Sequence, residues 1–272
     1  MQTQPIVTVV VPTRNAGRTL AACLASIRTQ TYPDVELVVV DNQSTDTTMA
    51  IAEKYSDLAV TGGPERSAQR NRGWQLGRGS YLIFIDADMV LGEKVVAEVV
   101  ETFESDTTLG ALVLPEFAFG EGFLARCREL EKRLYVGDPR VEAARAFPQW
   151  VLDRTGGYDE AVTGFEDWEL PDRVLAAGYR LGRITSAVRH DEGRISLRHA
   201  FAKKRYYGHW LPAYRTVGRA APARRLARPA LLSQPWQLVR SPHRAVGLAV
   251  LKGAEWSGLA LGAFEGRDGV RR

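Results

Sequence analysis

The stretch YLIFIDADMVL, residues 81 to 91, sets two aspartates, Asp86 and Asp88, into the end of an apolar run. In extended backbone, residues i and i+2 point to the same side, so both carboxylates can face one crevice. Two unpaired anions so placed repel each other. A hard divalent cation relieves this, because Mg2+ or Mn2+ prefers oxygen ligands and often takes only one or two carboxylates from a protein while binding substrate phosphates. The same D-x-D spacing also occurs in solvated loops, and its place after an apolar strand is what favours chemistry. A second acidic pair, Glu166 and Asp167, stands in GFEDWEL at the start of an expected helix. Acids there are favoured by the helix dipole by about 0.3–1 kcal/mol, and a carboxylate within hydrogen-bond reach of a substrate hydroxyl can also act as a general base. Asp41 follows the apolar run VELVVV directly. An acid at a strand's carboxyl end can accept from a base N–H or a ribose hydroxyl, whereas Ser44, Thr45 and Asp46 read as turn and helix-cap residues.

These residues need a scaffold that brings strand ends together. IVTVVV (6–11), VELVVV (35–40), LAV (58–60), YLIFI (81–85) and ALVL (111–114) are short aliphatic runs. Segments of helical period lie between them, with Leu20, Leu24 and Ile27 in the first and Val95, Val96, Val99, Val100 and Phe103 in the last. Continuous apolar strands alternating with helices predict an α/β fold with a mostly parallel sheet covered on both faces. In such sheets ligands bind beyond the carboxyl ends of the strands, where PTRN, DNQSTD and DADM all fall. From residue 115 the pattern changes to a charged helix, GFLARCRELEKRLY, and then to an irregular stretch ending in TGGYDE. A helix is expected over Trp168–Ala177, stopped by Gly178, with short strands near 179–184 and 187–189.

Several classes of function lose their support. No GxGxxG follows the first strand, and GxxxxGK[ST], GxSxG and zinc-ligand spacings are absent. Cys23 and Cys127 lie far apart with no disulfide pattern, which suits a reducing compartment, and the N-terminus reads as a first strand rather than a signal peptide. The net charge of +4 hides an asymmetry: residues 1–196 carry 21 Lys and Arg against 29 Asp and Glu, and residues 197–272 carry 15 against 3. A basic block of this kind can meet nucleic acid, phosphates or an acidic membrane face, and charge alone does not choose among them.

Three segments in order, VVVPTRNAGRTLAACLASIRTQTYPDVELVVVDNQSTDTT, ERSAQRNRGWQLGRGSYLIFIDADM and GGYDEAVTGFEDWELPDRVLAAGYRL, resemble the family 2 glycosyltransferases of GT-A fold. The likeness spans roughly residues 5–195. It implies a GT-A, Rossmann-like sheet flanked by helices. It also implies metal-dependent transfer of a sugar from a nucleotide diphosphate to an acceptor, with inversion. Residue by residue, it places Pro12, Thr13, Arg14 and Asn15 in the first nucleotide-contacting loop and makes Asp41 the base-binding acid. Arg70 comes near the base and phosphates, where Gln69 replaces the family's frequent alanine. Asp86 would approach the ribose or the metal, Asp88 would ligate the metal, and His190 would be a further ligand. Asp167 would be the base and Glu166 would position it or the acceptor. FAKKRYYGHW stands where membrane-linked relatives carry QxxRW, with Ala202 in place of the glutamine. Lys204 or Arg205 there could neutralise the departing diphosphate, or simply belong to a solvated basic helix.

The expected organisation is a catalytic domain over residues 1–195 and a basic helical extension over 196–272. In the extension, Leu248, Leu251, Trp256 and Leu259 could form an apolar side while Arg224, Arg225, Arg228, Arg240 and Arg244 face phosphates, as in a helix lying at a membrane interface. A soluble helical subdomain or a homodimer contact explains the same residues. The segment 247–264, with Lys252 and Glu255 inside it, is too short and charged for a membrane span. The expected cofactor is Mn2+ or Mg2+. The expected partners are a nucleotide-sugar donor and a glycan or polyprenyl-phosphate-linked acceptor, with an anionic membrane surface allowed and nucleic acid not expected. The place of action would be cytoplasmic, or peripheral at the inner face of the plasma membrane. Segment 115–150, with Glu129, Arg133, Tyr135 and Arg145, is where acceptor contacts are expected, and charges on a helix face account for these residues equally well. A sugar-1-phosphate nucleotidyltransferase and a non-catalytic nucleotide-sugar-binding module stay open as rivals.

Overall fold

The computed structural model describes residues 4–138, 141–162, 164–212, 214 and 235–269. The chain forms two compact units. The first comprises the residues up to Pro115 together with Ala143–Glu160 and Glu166–His190; the second comprises Glu116–Glu142, Ala161–Phe165 and the described residues from Asp191 onward. Ser196, where the charge changes sign, lies inside the second unit.

The first unit is built on a seven-stranded sheet. Strands β1 (Val7–Thr13), β2 (Val35–Asp41), β3 (Leu58–Thr61) and β4 (Tyr81–Phe84) are mutually parallel in the order β3-β2-β1-β4. The order then continues through β8 (Ala144–Pro148), antiparallel to both of its neighbours, to β6 (Leu109–Val113) and β9 (Arg180–Arg183). The α/β, largely parallel reading of the sequence is borne out. β8 was hidden in the stretch read as irregular, because ARAFP is short, carries an arginine and ends in proline.

Alternation along the strands divides the core between two faces. Val7, Val9, Val11, Ile83 and Ile85 pack with Leu20, Leu24, Val96, Val99 and Phe103 on one face. Val10, Leu82 and Phe84 pack with Phe147, Val151, Tyr158 and Leu170 on the other. Helices α1 (Leu20–Arg28), α2 (Thr48–Tyr55) and α4 (Val95–Ser105) contribute to the first face; α3 (Arg66–Leu76), α6 (Gln149–Thr155) and α7 (Glu166–Ala176) contribute to the second or lie at its edge. Where α3 crosses β1, Gly73 sits so close to Val10 that a methyl group there would overlap the valine side chain. β5 (Met89–Leu91) pairs antiparallel with the start of β10 (Val188–Arg194), placing His190 opposite Met89.

The second unit contains β7 (Glu116–Glu121), α5 (Gly122–Tyr135), α8 (Leu197–Gly208), α9 (Pro235–Arg240) and α10 (Pro242–Gly269). The helix expected from GFLARCRELEKRLY is α5. Between α5 and α10 lies a buried charge network: Arg128 pairs with Glu131 and Glu255, and Lys252 with the same two acids. Tyr135 Oη donates to Glu131 at 2.7 Å. α8 and α10 approach through glycines. Gly258 and Gly262 of α10 face the carbonyls of Phe201 and Arg205, and a side chain at either would overlap backbone.

Candidate active site

The β1 and β2 ends are laced together by short polar side chains. Thr13 Oγ1 donates to Asp41 Oδ1 at 2.9 Å, and the Ser44 amide donates to Asp41 Oδ2 at 2.8 Å. The Asn15 amide donates to Ser44 Oγ at 2.7 Å, while Asn15 Oδ1 accepts from the Thr45 amide at 2.9 Å. Asn15 and Gln43 hold positive φ, of 49° and 51°, a conformation that costs non-glycine residues energy and is retained where surrounding bonds over-determine it. Asp41 is buried, and its two oxygens hold this loop pair in shape. Pro12 is buried in β1 opposite Val40, and Arg14 is exposed at the loop.

From the other side of the strand ends, α3 delivers two buried side chains. Gln69 donates from Nε2 to the carbonyls of Thr13 (2.9 Å) and Val40 (2.6 Å), tying β1 to β2. Arg70, wholly buried, gathers the acidic residues of two separate sequence motifs. It donates to Asp86 Oδ1 at 2.8 Å, to Asp167 Oδ1 at 2.7 Å and to Glu166 Oε1 at 3.4 Å. Its guanidinium lies over the Tyr158 ring, 5.1 Å from the centroid. Arg145 of β8 reaches Asp86 Oδ2 at 3.3 Å, and Arg66, one turn before Arg70, stands 3.4 Å from Glu166 Oε1.

This geometry separates the acids electrostatically. Burial alone would raise the carboxyl pKa of Asp86, but Arg70, Arg145 and Arg66 override it and hold the group far below the ordinary range. Asp167 is likewise lowered, with burial opposed by Arg70 and Arg145. Glu166 moves the other way: burial and the neighbouring Asp167 charge raise it. Arg70, opposed by its burial, is held protonated by Asp167 and Asp86. The site thus holds Asp86 and Asp167 as carboxylates beside an acid, Glu166, that resists ionisation.

Asp88 has a histidine as its neighbour. His190 Nε2 stands 3.1 Å from Asp88 Oδ2, and Asp88 Oδ1 is buried without a hydrogen-bond partner among the described residues. No three His, Cys, Asp or Glu side chains converge into a metal-binding group among the described residues. A carboxylate oxygen and an imidazole nitrogen are both donor types that a divalent cation such as Mn2+ accepts. Asp86, which was expected to share a cation, has its oxygens on Arg70 and Arg145. Lys204 and Arg205 belong to the second unit, where Lys204 lies over the Tyr207 ring and Arg205 pairs with Glu265 at 2.6 Å.

Sequence reasoning gave no role to Gln69, Asn71, Arg66 or Tyr158, and placed Arg145 among acceptor contacts. Asn71 pins the TGGYDE turn, donating to the Tyr158 carbonyl at 2.8 Å and accepting from the Tyr158 amide at 2.8 Å. Gly157, at φ 69°, fits there because a Cβ would lie 2.6 Å from both Asn71 and Trp74. The available signal was the spacing of Arg66 and Arg70, i and i+4 on one helix face.

A family model described as "Glycosyl transferase family 2" matches residues 8–157, more than half of the chain. The chain belongs to this family. The matched span of this glycosyltransferase includes Asp41, Arg70, Asp86, Asp88 and Arg145 and stops short of Glu166 and Asp167. Among named relatives, the "PGL/p-HBAD biosynthesis glycosyltransferase" of Mycobacterium bovis is 34% identical over 186 residues, covering 63% of this chain and 70% of its own. The "Poly(ribitol-phosphate) beta-glucosyltransferase" of Bacillus spizizenii is 31% identical over 121 residues, covering 39% of this chain and 19% of its own. The mannosyltransferase PcManGT from Pyrobaculum calidifontis, solved with GDP-Man and Mn2+, superposes with a TM-score of 0.66 at 21% identity, covering 97% of this chain and 88% of that one. S. aureus TarS 1–349 with UDP gives 0.52 at 17% identity, covering 97% and 92%. The fold is therefore of the GT-A glycosyltransferase type. Among the described residues, no helix is long and apolar enough to cross a membrane.

Proposed function

We propose that this glycosyltransferase transfers a sugar from a nucleotide-diphosphate donor to a hydroxyl of a glycan or lipid-linked acceptor, with inversion, and that Asp167 is the general base. The observation that carries the reading is Arg70, whose one guanidinium ties Asp86, beyond the β4 end, to Asp167, at the start of α7. The acceptor oxygen attacks the anomeric carbon, the bond to the diphosphate breaks with its electron pair leaving on the nucleotide, and the hydroxyl proton passes to Asp167. With its burial overridden by Arg70 and Arg145, Asp167 stands as the carboxylate that a general base must be, and the same cations weaken its basicity. Arg70 fixes one carboxylate oxygen and so orients the other.

The loops closed by Thr13, Asn15, Asp41 and Ser44 are the proposed seat of the nucleoside, at the strand ends where α/β sheets bind ligands. Asp88 and His190 would hold a divalent ion, Mn2+ or Mg2+, which when bound neutralises the diphosphate. The orphaned Asp88 oxygen and the Mn2+ in PcManGT support that assignment.

The test is a donor screen followed by Asp167→Asn. With a donor found by metal-dependent thermal stabilisation, the variant should lose about 10²–10⁴-fold in turnover while its donor affinity stays within a few-fold of wild type. Turnover surviving in Asp167→Asn removes Asp167 as the base. Sugar phosphate and nucleoside triphosphate yielding nucleotide sugar would favour the nucleotidyltransferase instead.

A further inference from the structure

Helix α10 is turned inside out relative to an ordinary surface helix. Its charged residues Lys252 and Glu255 are buried, together with Leu248 and Leu251. The face opposite carries Val246, Val250, Trp256, Leu261 and Phe264, each 41–66% exposed. Two contacts fix this rotation. The Arg128–Glu131–Lys252–Glu255 network draws the charges inward, and Gly258 and Gly262 can meet the α8 backbone only on the inner side. The outer face runs about 27 Å from Val246 to Phe264 at 1.5 Å per residue. Glu255 is the sole acid between Pro235 and Phe264. At the start of the same region α9 exposes Trp236 and Val239, and Arg240 stacks on Trp236 at 4.8 Å.

A contiguous exposed apolar stripe on a folded helix marks a docking surface rather than ordinary scatter. Its chemistry selects the occupant. Exposed tryptophans, aliphatic side chains and flanking cations, with the acids Glu265 and Asp268 confined to the end of α10 beyond Phe264, match the boundary of an anionic bilayer, where tryptophan concentrates and basic residues gain from the surface potential. The sequence just before it, residues 215–234, adds five arginines and no acid; Arg224, Arg225 and Arg228, expected to face phosphates, are among them and lie outside the described residues. We propose that the outer face of α9 and α10 lies on an anionic lipid surface, with Trp236, Val250, Trp256 and Phe264 entering the headgroup region. Of the four residues that the sequence groups on an apolar side, Leu248 and Leu251 are buried, Leu259 is half-buried and Trp256 is exposed on the outer face.

The experiment is co-sedimentation of the full chain with vesicles of phosphatidylcholine alone or mixed with phosphatidylglycerol, alongside the double variant Val250→Asp/Phe264→Asp. Wild type should bind the anionic vesicles and leave the neutral ones. The variant, with a thermal midpoint near that of wild type because both side chains are exposed, should lose at least about tenfold in bound fraction. Tryptophan emission should shift to the blue on binding, and less so in Trp236→Phe/Trp256→Phe. Equal sedimentation with both lipids, or undiminished binding by the aspartate variant, overturns the proposal. A wild-type dimer that the same variant converts to monomer, without lipid binding, assigns the face to a second copy and overturns it too. Neither readout depends on catalysis, so failure here leaves the transferase reading untouched.

Discussion

Arg70 is the residue on which the site turns. A buried guanidinium facing three carboxylates cannot be removed without leaving buried negative charge unpaired, which typically costs about 3–5 kcal/mol. Arg70→Met should therefore lower the urea midpoint substantially and abolish transfer. Arg70→Lys keeps the charge but not the fork that serves Asp86 and Asp167 together. Its stability should recover more than its turnover, and equal recovery of both would show that Arg70 is merely structural. Ligation by Asp88 and His190 predicts that His190→Ala weakens the Mn2+ dependence of thermal stabilisation by a nucleoside diphosphate by at least about tenfold. An unchanged metal titration would exclude the histidine.

At the scale of elements, the contact between α3 and β1 sets where Gln69 and Arg70 arrive. Gly73→Ala pushes a methyl into the stiff, buried Val10 and should cost about 1–3 kcal/mol by denaturant unfolding. Because the shift tilts the helix that carries Arg70, turnover should fall with it. The apolar strands and the valine-rich face of α4 were legible from periodicity, since hydrophobic burial at period 2 or 3.6 is a local pattern. β8 was not, because its pairing with β4 and β6 is a long-range choice that a five-residue segment with an arginine at its second position and a terminal proline does not announce. The same strand carries Arg145 to Asp86, a pairing that the missed element kept out of sight.

For the whole molecule, the second unit is assembled from distant parts of the chain. Glu131 and Arg128 of α5 find Lys252 and Glu255 of α10 more than a hundred residues later. A chain ending at residue 195 would leave α5 with its buried face and charges uncovered, and we expect it to aggregate where the full chain stays soluble and monodisperse by light scattering. Acid should also unfold the protein. Asp86, Asp167 and Glu98 have lowered carboxyl pKa values. For Glu98, burial is overcome by hydrogen bonds from Ser186 and Thr185, bringing it from 4.5 to about 2. Each contributes stability that is present above its unfolded value and lost as pH falls through its folded value. Glu166, raised by burial and Asp167, contributes the opposite way, its share lost as pH rises through its folded value. With the lowered carboxyls, Glu255 beside Arg128 and Lys252 also among them, outnumbering the raised Glu166, unfolding free energy should decline as pH drops from about 4.5 toward about 2, and Glu98→Gln should flatten part of that slope.

The sequence by itself determined the strand and helix alternation, the acids at strand ends, the family likeness and the charge asymmetry, because each is written in neighbouring residues or in ordered motifs. Tertiary structure alone decided that Asp86 answers to arginines while Asp88 faces His190, and that α10 buries Lys252 and Glu255 and shows its valines. Those outcomes depend on which side chains from remote segments arrive first at a buried carboxylate, and desolvation makes such pairing a property of the packed molecule rather than of any stretch of chain.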